Sequence, residues 1–175
     1  FDKVLTQTDP ERAHNSAFKA IRAGRFVTPA VFSAPSKPVT VMGIEFPHRF
    51  GLAAGFDKNV EGVVPLINLG FGHVEVGTVT GQAQPGNPKP RLFRLVDDRS
   101  IINRMGFNNV GAAEAASRLH RLRGTKAGAD AVIGVNIGKT KVVPAERAVD
   151  DYAMSARLLA PFADYMVVNV SSPNT

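Results

Sequence analysis

Two nearly uninterrupted apolar runs constrain the fold of this chain most: Ala131 to Ile137, and Tyr165 to Val168 just before the end. A strand with almost no polar alternation is covered on both faces, which is the pattern of a buried parallel sheet. The second run passes into Asn169, Ser171, Ser172, Pro173, Asn174 and Thr175. In a parallel barrel the residues at this end of a strand face a common cleft, whereas the other end seals the core. Chemistry is therefore expected where these runs turn polar.

The rest of the chain supplies an alternation of strands and helices. Phe50-Gly51-Leu52-Ala53-Ala54-Gly55 reads as a first strand of small residues, running into Phe56-Asp57-Lys58-Asn59. Small residues at a strand end let a planar or phosphorylated ligand approach the backbone closely. A helix from about Glu61 to Asn68, closed by Gly70, leads to a second strand from His73 to Val79. Gln84 to Pro90 is a loop, and Arg91 to Leu95 with Ser100 to Asn103 form a hairpin around Asp97-Asp98. Asn109 is expected to cap a helix that runs to about Arg123 and stops at Gly124. A helix from about Val149 to Leu159, ending before Pro161, separates the two apolar runs.

This order predicts an α/β fold, with right-handed crossovers curling a parallel sheet toward a (β/α)8 TIM barrel. Four units make half of such a barrel, which typically takes about 250 residues. The second half is expected beyond Thr175, so the sequence is read as part of a longer protein; the initial Phe likewise implies residues upstream.

Before the barrel, Asp9-Pro10-Glu11 is a helix start with a capping carboxylate, a proline in the first turn and an acid after it. Ala13, Ala17 and Ile21, with Phe18 beside them, are its expected apolar face, and Gly24 ends it. Phe26 to Phe32 reads as a second short helix, and the link Pro35 to Pro38 separates this unit from the main domain. Residues 1–34 thus form an N-terminal helical extension and residues 39–175 the barrel half. Val39 to Phe46 is a hairpin turning at Met42-Gly43, expected to cap the bottom of the barrel. Lysine and arginine beside phenylalanines suit an interfacial helix, so packing on the body and contact with a membrane or partner both stay open.

Composition excludes several classes of function. The chain has 175 residues, of which 44% are hydrophobic and 21% charged, a globular balance large enough for one core. It lacks a run of about 18 apolar residues. It has no cysteine, hence no disulfide, thiol nucleophile or cysteine-bound metal. Its net charge of +6 comes from scattered Lys and Arg without interleaved aromatics, which makes nucleic acid the least favoured partner. His14, His48, His73 and His120 lack metal-ligand spacing. Neither a dinucleotide fingerprint nor a Walker-type loop is present.

The polar residues at the strand ends narrow the chemistry. Asn136 and Asn169 lie near the ends of neighbouring apolar strands, where an unsatisfied amide costs about 1–3 kcal/mol. Each could serve a structural hydrogen bond; as a pair at equivalent positions they favour a shared ligand. A carboxamide donates and accepts, which suits the imide or amide edge of a heterocycle. Lys58, in a small-residue turn, could bind a carboxylate or support negative charge on a ring. Ser172 has no adjacent histidine and no nucleophile elbow, so acyl transfer is poorly supported, and a role as proton acceptor would need desolvation.

Seven stretches together resemble one family. GLAAGFDKN (Gly51 to Asn59), GFGHVEVGTVT (Gly70 to Thr80), QPGNPKPRLFRL (Gln84 to Leu95), INRMGFNN (Ile102 to Asn109), IGVNIGK (Ile133 to Lys139), DYMVVNVSSPNT (Asp164 to Thr175) and the N-terminal DPERAH (Asp9 to His14) are similar to dihydroorotate dehydrogenase of the membrane-associated, quinone-dependent class. The soluble class lacks the helical extension and typically has a cysteine base where this chain has Ser172.

The resemblance implies oxidation of dihydroorotate to orotate in pyrimidine biosynthesis, with FMN as hydride acceptor and a membrane quinone as final oxidant. It implies FMN contacts from Ala54, Gly55, Phe56, Asp57, Lys58, Thr78, Asn136 and Asn169. Orotate would be held by Lys58, Asn103, Arg104, Met105, Gly106, Phe107, Asn169 and Asn174. Ser172 would take the C5 proton while C6 delivers hydride. Arg94 would lie near a quinone tunnel whose mouth the N-terminal helices form. Peripheral attachment to the cytoplasmic side of the cell (inner) membrane is implied by the same likeness. The alternatives are the soluble class, passing electrons to fumarate or a nicotinamide, and a silent barrel fragment that acts as a binding module.

Overall fold

The structure, a computed structural model, describes residues 7–24 and 37–172. The second helix expected over Phe26 to Phe32, the first half of the link after it, and Asn174 lie outside the described residues. The elements run α1 (Pro10–Ala23), β1 (Val39–Val41), β2 (Ile44–Phe46), α2 (Val63–Asn68), β3 (Val74–Thr80), β4 (Leu92–Leu95), β5 (Ser100–Asn103), α3 (Ala112–Arg123), α4 (Lys126–Asp130), β6 (Ile133–Gly138), α5 (Ala148–Leu159) and β7 (Tyr165–Asn169).

The centre is a parallel sheet in the order β3-β6-β7, with Val76 opposite Val135 and Val135 opposite Met166. One face carries Val74, Val76, Ile133, Val135 and Ile137, each at most 2% exposed. Leu66 of α2, Leu119 of α3 and Leu159 of α5 pack on that face, as right-handed crossover helices must to bury a parallel sheet. Ala112, Ala115 and Ala116 let α3 approach closely. Residues of the other parity, Glu75, Gly134, Asn136 and Asn169 among them, project from the opposite face.

Two strand expectations change. Phe50 to Gly55 is not a strand; it touches the sheet through one parallel bridge, Leu52 to Val74. Its glycines and alanines give it little side chain to pack, so a few bonds hold it: Leu52 N–H to His73 O at 3.0 Å and Gly55 N–H to Gly77 O at 2.8 Å. β7 is not covered on both faces, since Val168 is 55% exposed at the sheet edge. Asn109 also does not cap α3, whose N-cap is Gly111; its side chain instead accepts from Gly111 N–H at 2.8 Å and Thr80 N–H at 3.2 Å. The short α4, capped by the Thr125 hydroxyl, was not expected.

The hairpin β1-β2 turns at Met42 (φ 52°) and Gly43 (φ 80°), the two positive dihedrals of a type I′ turn. Phe46 packs edge-on against His73 at 5.0 Å, which places the hairpin at the N-terminal end of the sheet.

α1 starts as expected, Asp9 accepting from Arg12 N–H at 2.8 Å, and its inward face is the expected one in part, with Phe18 and Ile21 turned to the core. Glu11, His14, Phe18 and Ile21 face the body, while Ala17 is exposed. Phe18 lies where a Cβ at Gly62 would clash, and it meets Phe56 edge-on at 5.4 Å. Glu11 is the anchor: its carboxylate accepts from Arg91 Nε at 3.1 Å and Nη2 at 2.7 Å, with both side chains under 10% exposed. Arg91 holds its carboxyl below the usual carboxylate range, with Lys89 adding to the effect against the opposing burial. Farther along, Arg22 and Arg118 share Glu61 at 2.7 and 2.9 Å.

A carboxyl depressed on folding contributes stability above its unfolded value and loses it as pH falls through the folded one. In the intact protein, amide protection of α1 is therefore expected to fall as pH drops below 4.5, and Glu11→Gln should remove that dependence. Leaving Arg91 buried without its carboxylate should also lower global stability by about 3 kcal/mol. Hydrogen exchange corrected for intrinsic rates, together with urea unfolding, measures both; pH-independent protection of wild-type α1 would contradict the assignment.

Candidate active site

The C-terminal ends of β3, β6 and β7 open on a cleft of about 390 Å³. Its floor is a row of polar side chains from three strands. The Thr78 hydroxyl donates to Asn136 Oδ1 at 2.6 Å, Asn136 Nδ2 donates to Glu75 at 2.9 Å, and Asn169 Nδ2 reaches Thr78 Oγ1 at 3.4 Å. The two asparagines share a face without sharing a rung, since Asn136 is opposite Val167 and Asn169 opposite Gly138. Thr78 spans the offset between them.

One wall is the turn after Leu52, with Ala53, Ala54, Gly55 and Lys58. Gly55 has φ +106°, which favours glycine, and a Cβ there would meet nothing within 4 Å; the residue keeps space open above the floor. The Lys58 ammonium donates to the Gly55 carbonyl. Burial lowers the Lys58 amine below its ordinary value; the nearby Glu11 carboxylate partly offsets this, while Arg91 adds to the lowering.

Asp57 braces this turn. Its carboxylate is fully buried and accepts backbone N–H from Asn59 at 3.3 Å, Glu61 at 2.9 Å and Gly62 at 2.8 Å. Burial pushes its carboxyl up, and these three bonds oppose that. Its own carbonyl accepts from Gly77 N–H at 2.9 Å, tying the turn to β3.

The opposite wall is Asn103, Met105, Gly106 and Phe107. The preceding loop holds it: Asn87 N–H donates to Met105 O at 2.9 Å and Gln84 Nε2 to Gly106 O at 3.0 Å. A Cβ at Gly138 would strike Phe107 and Thr78, so that glycine lets the wall close on the floor. Ser172 stands at the rim.

Most of the expected site residues thus converge, but not all. Phe56 turns toward α1, where His14 meets it edge-on at 4.8 Å. Burial, and next the charge of Lys58, lower the His14 imidazole below its ordinary value. Asp57 lies beneath the cleft rather than in it. Arg104 lies outside, over the Phe93 ring at 5.4 Å and donating to Pro90 O at 3.1 Å. Arg94 is at the start of α1, donating to Thr8 O at 2.9 Å. Sequence reasoning missed Ala53 and Glu75, which also line the cleft. A larger hollow of about 700 Å³ lies beside α1, but Val63, Pro65 and Leu122 wall it, and its carboxylate, Glu61, is taken up by Arg22 and Arg118.

A parallel sheet backed by helices, with an amide-rich cleft at its strand ends, defines an α/β protein of the TIM-barrel type. The chain belongs to the dihydroorotate dehydrogenase family, whose model matches residues 37–175. It is 63% identical over its whole length to a dihydroorotate dehydrogenase (quinone) from a Nocardioides strain and 59% identical to one from Pseudarthrobacter chlorophenolicus. It spans 51% and 52% of those proteins, about half their length. Two crystal structures of DHODH from Eimeria tenella, one with ferulenol and one ligand-free, share 40% and 42% identity at TM-scores of 0.83 and 0.84. Each likeness covers 95% of this chain, and 45% and 47% of the Eimeria chains respectively.

The brace under Lys58 can be tested by Asp57→Asn, which turns one acceptor into a donor facing backbone N–H groups. The expected loss in the intact protein is about 1–3 kcal/mol, read from urea unfolding midpoints. A change within about 0.5 kcal/mol, as at an ordinary surface site, would contradict the role.

Proposed function

We propose that the protein to which this chain belongs oxidises dihydroorotate to orotate with FMN and passes the electrons to a membrane quinone. In this reading residues 39–175 are the first half of a (β/α)8 barrel, and residues 1–34 are the extension that meets the quinone at the cytoplasmic face of the inner membrane, without spanning it. The observation that carries it is convergence: Lys58, Asn103, Asn136, and the pair Asn169 and Ser172 come from four separate segments and line one cleft.

The residues present fit FMN. The open space above Gly55 and the small side chains of Ala53 and Ala54 admit a flat ring. Thr78, Asn136 and Asn169 offer both donors and acceptors to the amide-like edge of such a ring. When bound, FMN supplies the acceptor for the hydride that leaves C6 of dihydroorotate.

The chain's own residues do the rest. Lys58 binds the substrate carboxylate, an attraction strengthened by its partly desolvated position. Asn103 and Asn169 hydrogen-bond the substrate's ring, and Asn174 is assigned with them. Phe107 and Met105 exclude water from one side. Ser172 accepts the proton from C5. Arg94, fixed beside the start of α1, is assigned to the quinone side. The quinone class is favoured over the soluble one because α1 is built into the body through Glu11 and Arg91.

Ser172→Ala in the intact protein should keep the yellow flavin but slow its bleaching by dihydroorotate about 100- to 10,000-fold, the range of a lost general base. Stopped-flow absorbance measures this, and undiminished bleaching removes Ser172 from the role. Because Lys58 is lowered, its ammonium is lost as pH rises through a value below 10.5. The KM for dihydroorotate is expected to climb with pH before that point, and a KM flat up to 10.5 would contradict carboxylate binding by Lys58.

A further inference from the structure

Glu75 is a carboxylate near the start of a largely buried strand. Its neighbours Val74 and Val76 are fully buried, and it projects the other way, toward the cleft. Two groups meet it: Asn136 Nδ2 donates at 2.9 Å from β6, and the Tyr165 hydroxyl bonds it from β7. None of the roles assigned above includes it.

Its chemistry fixes more than one bond. An ionised carboxylate only accepts, so the end of Asn136 that faces Glu75 must be the NH2 group. Oδ1 of Asn136 is then directed to Thr78, whose hydroxyl proton is committed to it at 2.6 Å. Thr78 Oγ1 is left with lone pairs for Asn169 Nδ2 at 3.4 Å. Asn169 Oδ1 consequently turns to Ser171, accepting from its N–H at 3.2 Å and its hydroxyl at 3.4 Å. The orientation of Asn136 and of the Thr78 hydroxyl is set by the acceptor at this end, and that of Asn169 by the Ser171 N–H at the other.

We propose that Glu75 is a positioning residue of this site: by accepting from Asn136 it sets the orientation of the Asn136 amide and the direction in which the Thr78 hydroxyl donates, and so decides which edge of Asn136 faces a bound heterocycle. The inference rests on reading the cleft as the flavin site. A glutamine in its place could present either end to Asn136, and both orientations of the Asn136 amide would become accessible. A leucine would leave Asn136 Nδ2 without its acceptor.

The test uses the intact protein, with FMN affinity measured by fluorescence on reconstitution and side-chain amide resonances recorded in 15N-labelled protein. Glu75→Leu is expected to weaken FMN about tenfold, the loss of one charge-assisted hydrogen bond. In a Thr78→Val background, where the row is already cut, the further loss should be smaller; losses that simply multiply would overturn the proposal, as would unchanged FMN affinity in Glu75→Leu. Glu75→Gln keeps the shape and guards against a leucine variant that does not fold. It is expected to bind FMN with intermediate affinity and to show a doubled Asn136 NH2 resonance. A single resonance at the wild-type position would overturn the direction-setting role. Failure of the wild-type protein to bind FMN would instead sink the flavin reading, so the two failures are distinguishable.

Discussion

The parallel register of β3, β6 and β7 is the constraint on which the rest depends. Pairing Val76 with Val135 and Val135 with Met166 commits one side-chain parity to the helices. The other parity, carrying Glu75, Asn136 and Asn169, then has to face the cleft. Because strand side chains alternate with period two, a slip of one residue would send the asparagines into the apolar layer and Val135 and Ile137 into the site. Packing of Leu66, Leu119 and Leu159 on the apolar face is therefore also what aims the polar one. Core stability and site geometry rest on the same contacts.

Legibility in the sequence tracked side-chain character. The runs Ala131 to Ile137 and Tyr165 to Val168 announced β6 and β7 because their apolar residues leave few alternatives, and the hairpin at Met42-Gly43 was readable from its turn. Phe50 to Gly55 misled because small apolar residues fit a strand by pattern yet provide no side chains to hold a ladder; only Leu52 bridges. Asn109 looked like a cap because amides usually are, whereas here it joins the end of β3 to the start of α3. Convergence of Lys58, Asn136 and Asn169 could be anticipated from their places at strand ends. Glu75 could not: a glutamate beside valines reads as the solvent face of an alternating strand. What marks it as interior is register, which a single sequence does not display.

The N-terminal helix is wired into the site by a chain of polar contacts. Glu11 holds Arg91, and Arg91 donates to the carbonyls of Pro85 at 2.7 Å and Asn87 at 3.0 Å. Asn87 in turn fixes Arg104 O and Met105 O, both at 2.9 Å. Displacing α1 would loosen the loop that positions the Asn103 to Phe107 wall, and would also remove His14 and Phe18 from Phe56, next to the Asp57 brace. Two independent routes thus lead from one helix to opposite walls of the cleft. Such coupling is physical contact rather than mere proximity, since each link is a hydrogen bond or ring contact.

The cleft relies on neutral amides and hydroxyls for most of its polarity, and the reason is energetic. An ionised group taken out of water is tolerated only with close partners. Lys58 has the Gly55 carbonyl and the field of Glu11, and burial lowers its amine even so. Asp57 needs three backbone N–H groups to remain where it is. A row of amides needs no such compensation, because each member satisfies the next and leaves further donors and acceptors toward the cleft. Its weakness is ambiguity, since an amide can reverse end for end at little cost when its partners can also switch. A carboxylate at one end of the row and the Ser171 N–H at the other remove that ambiguity, so the site gains a defined polarity.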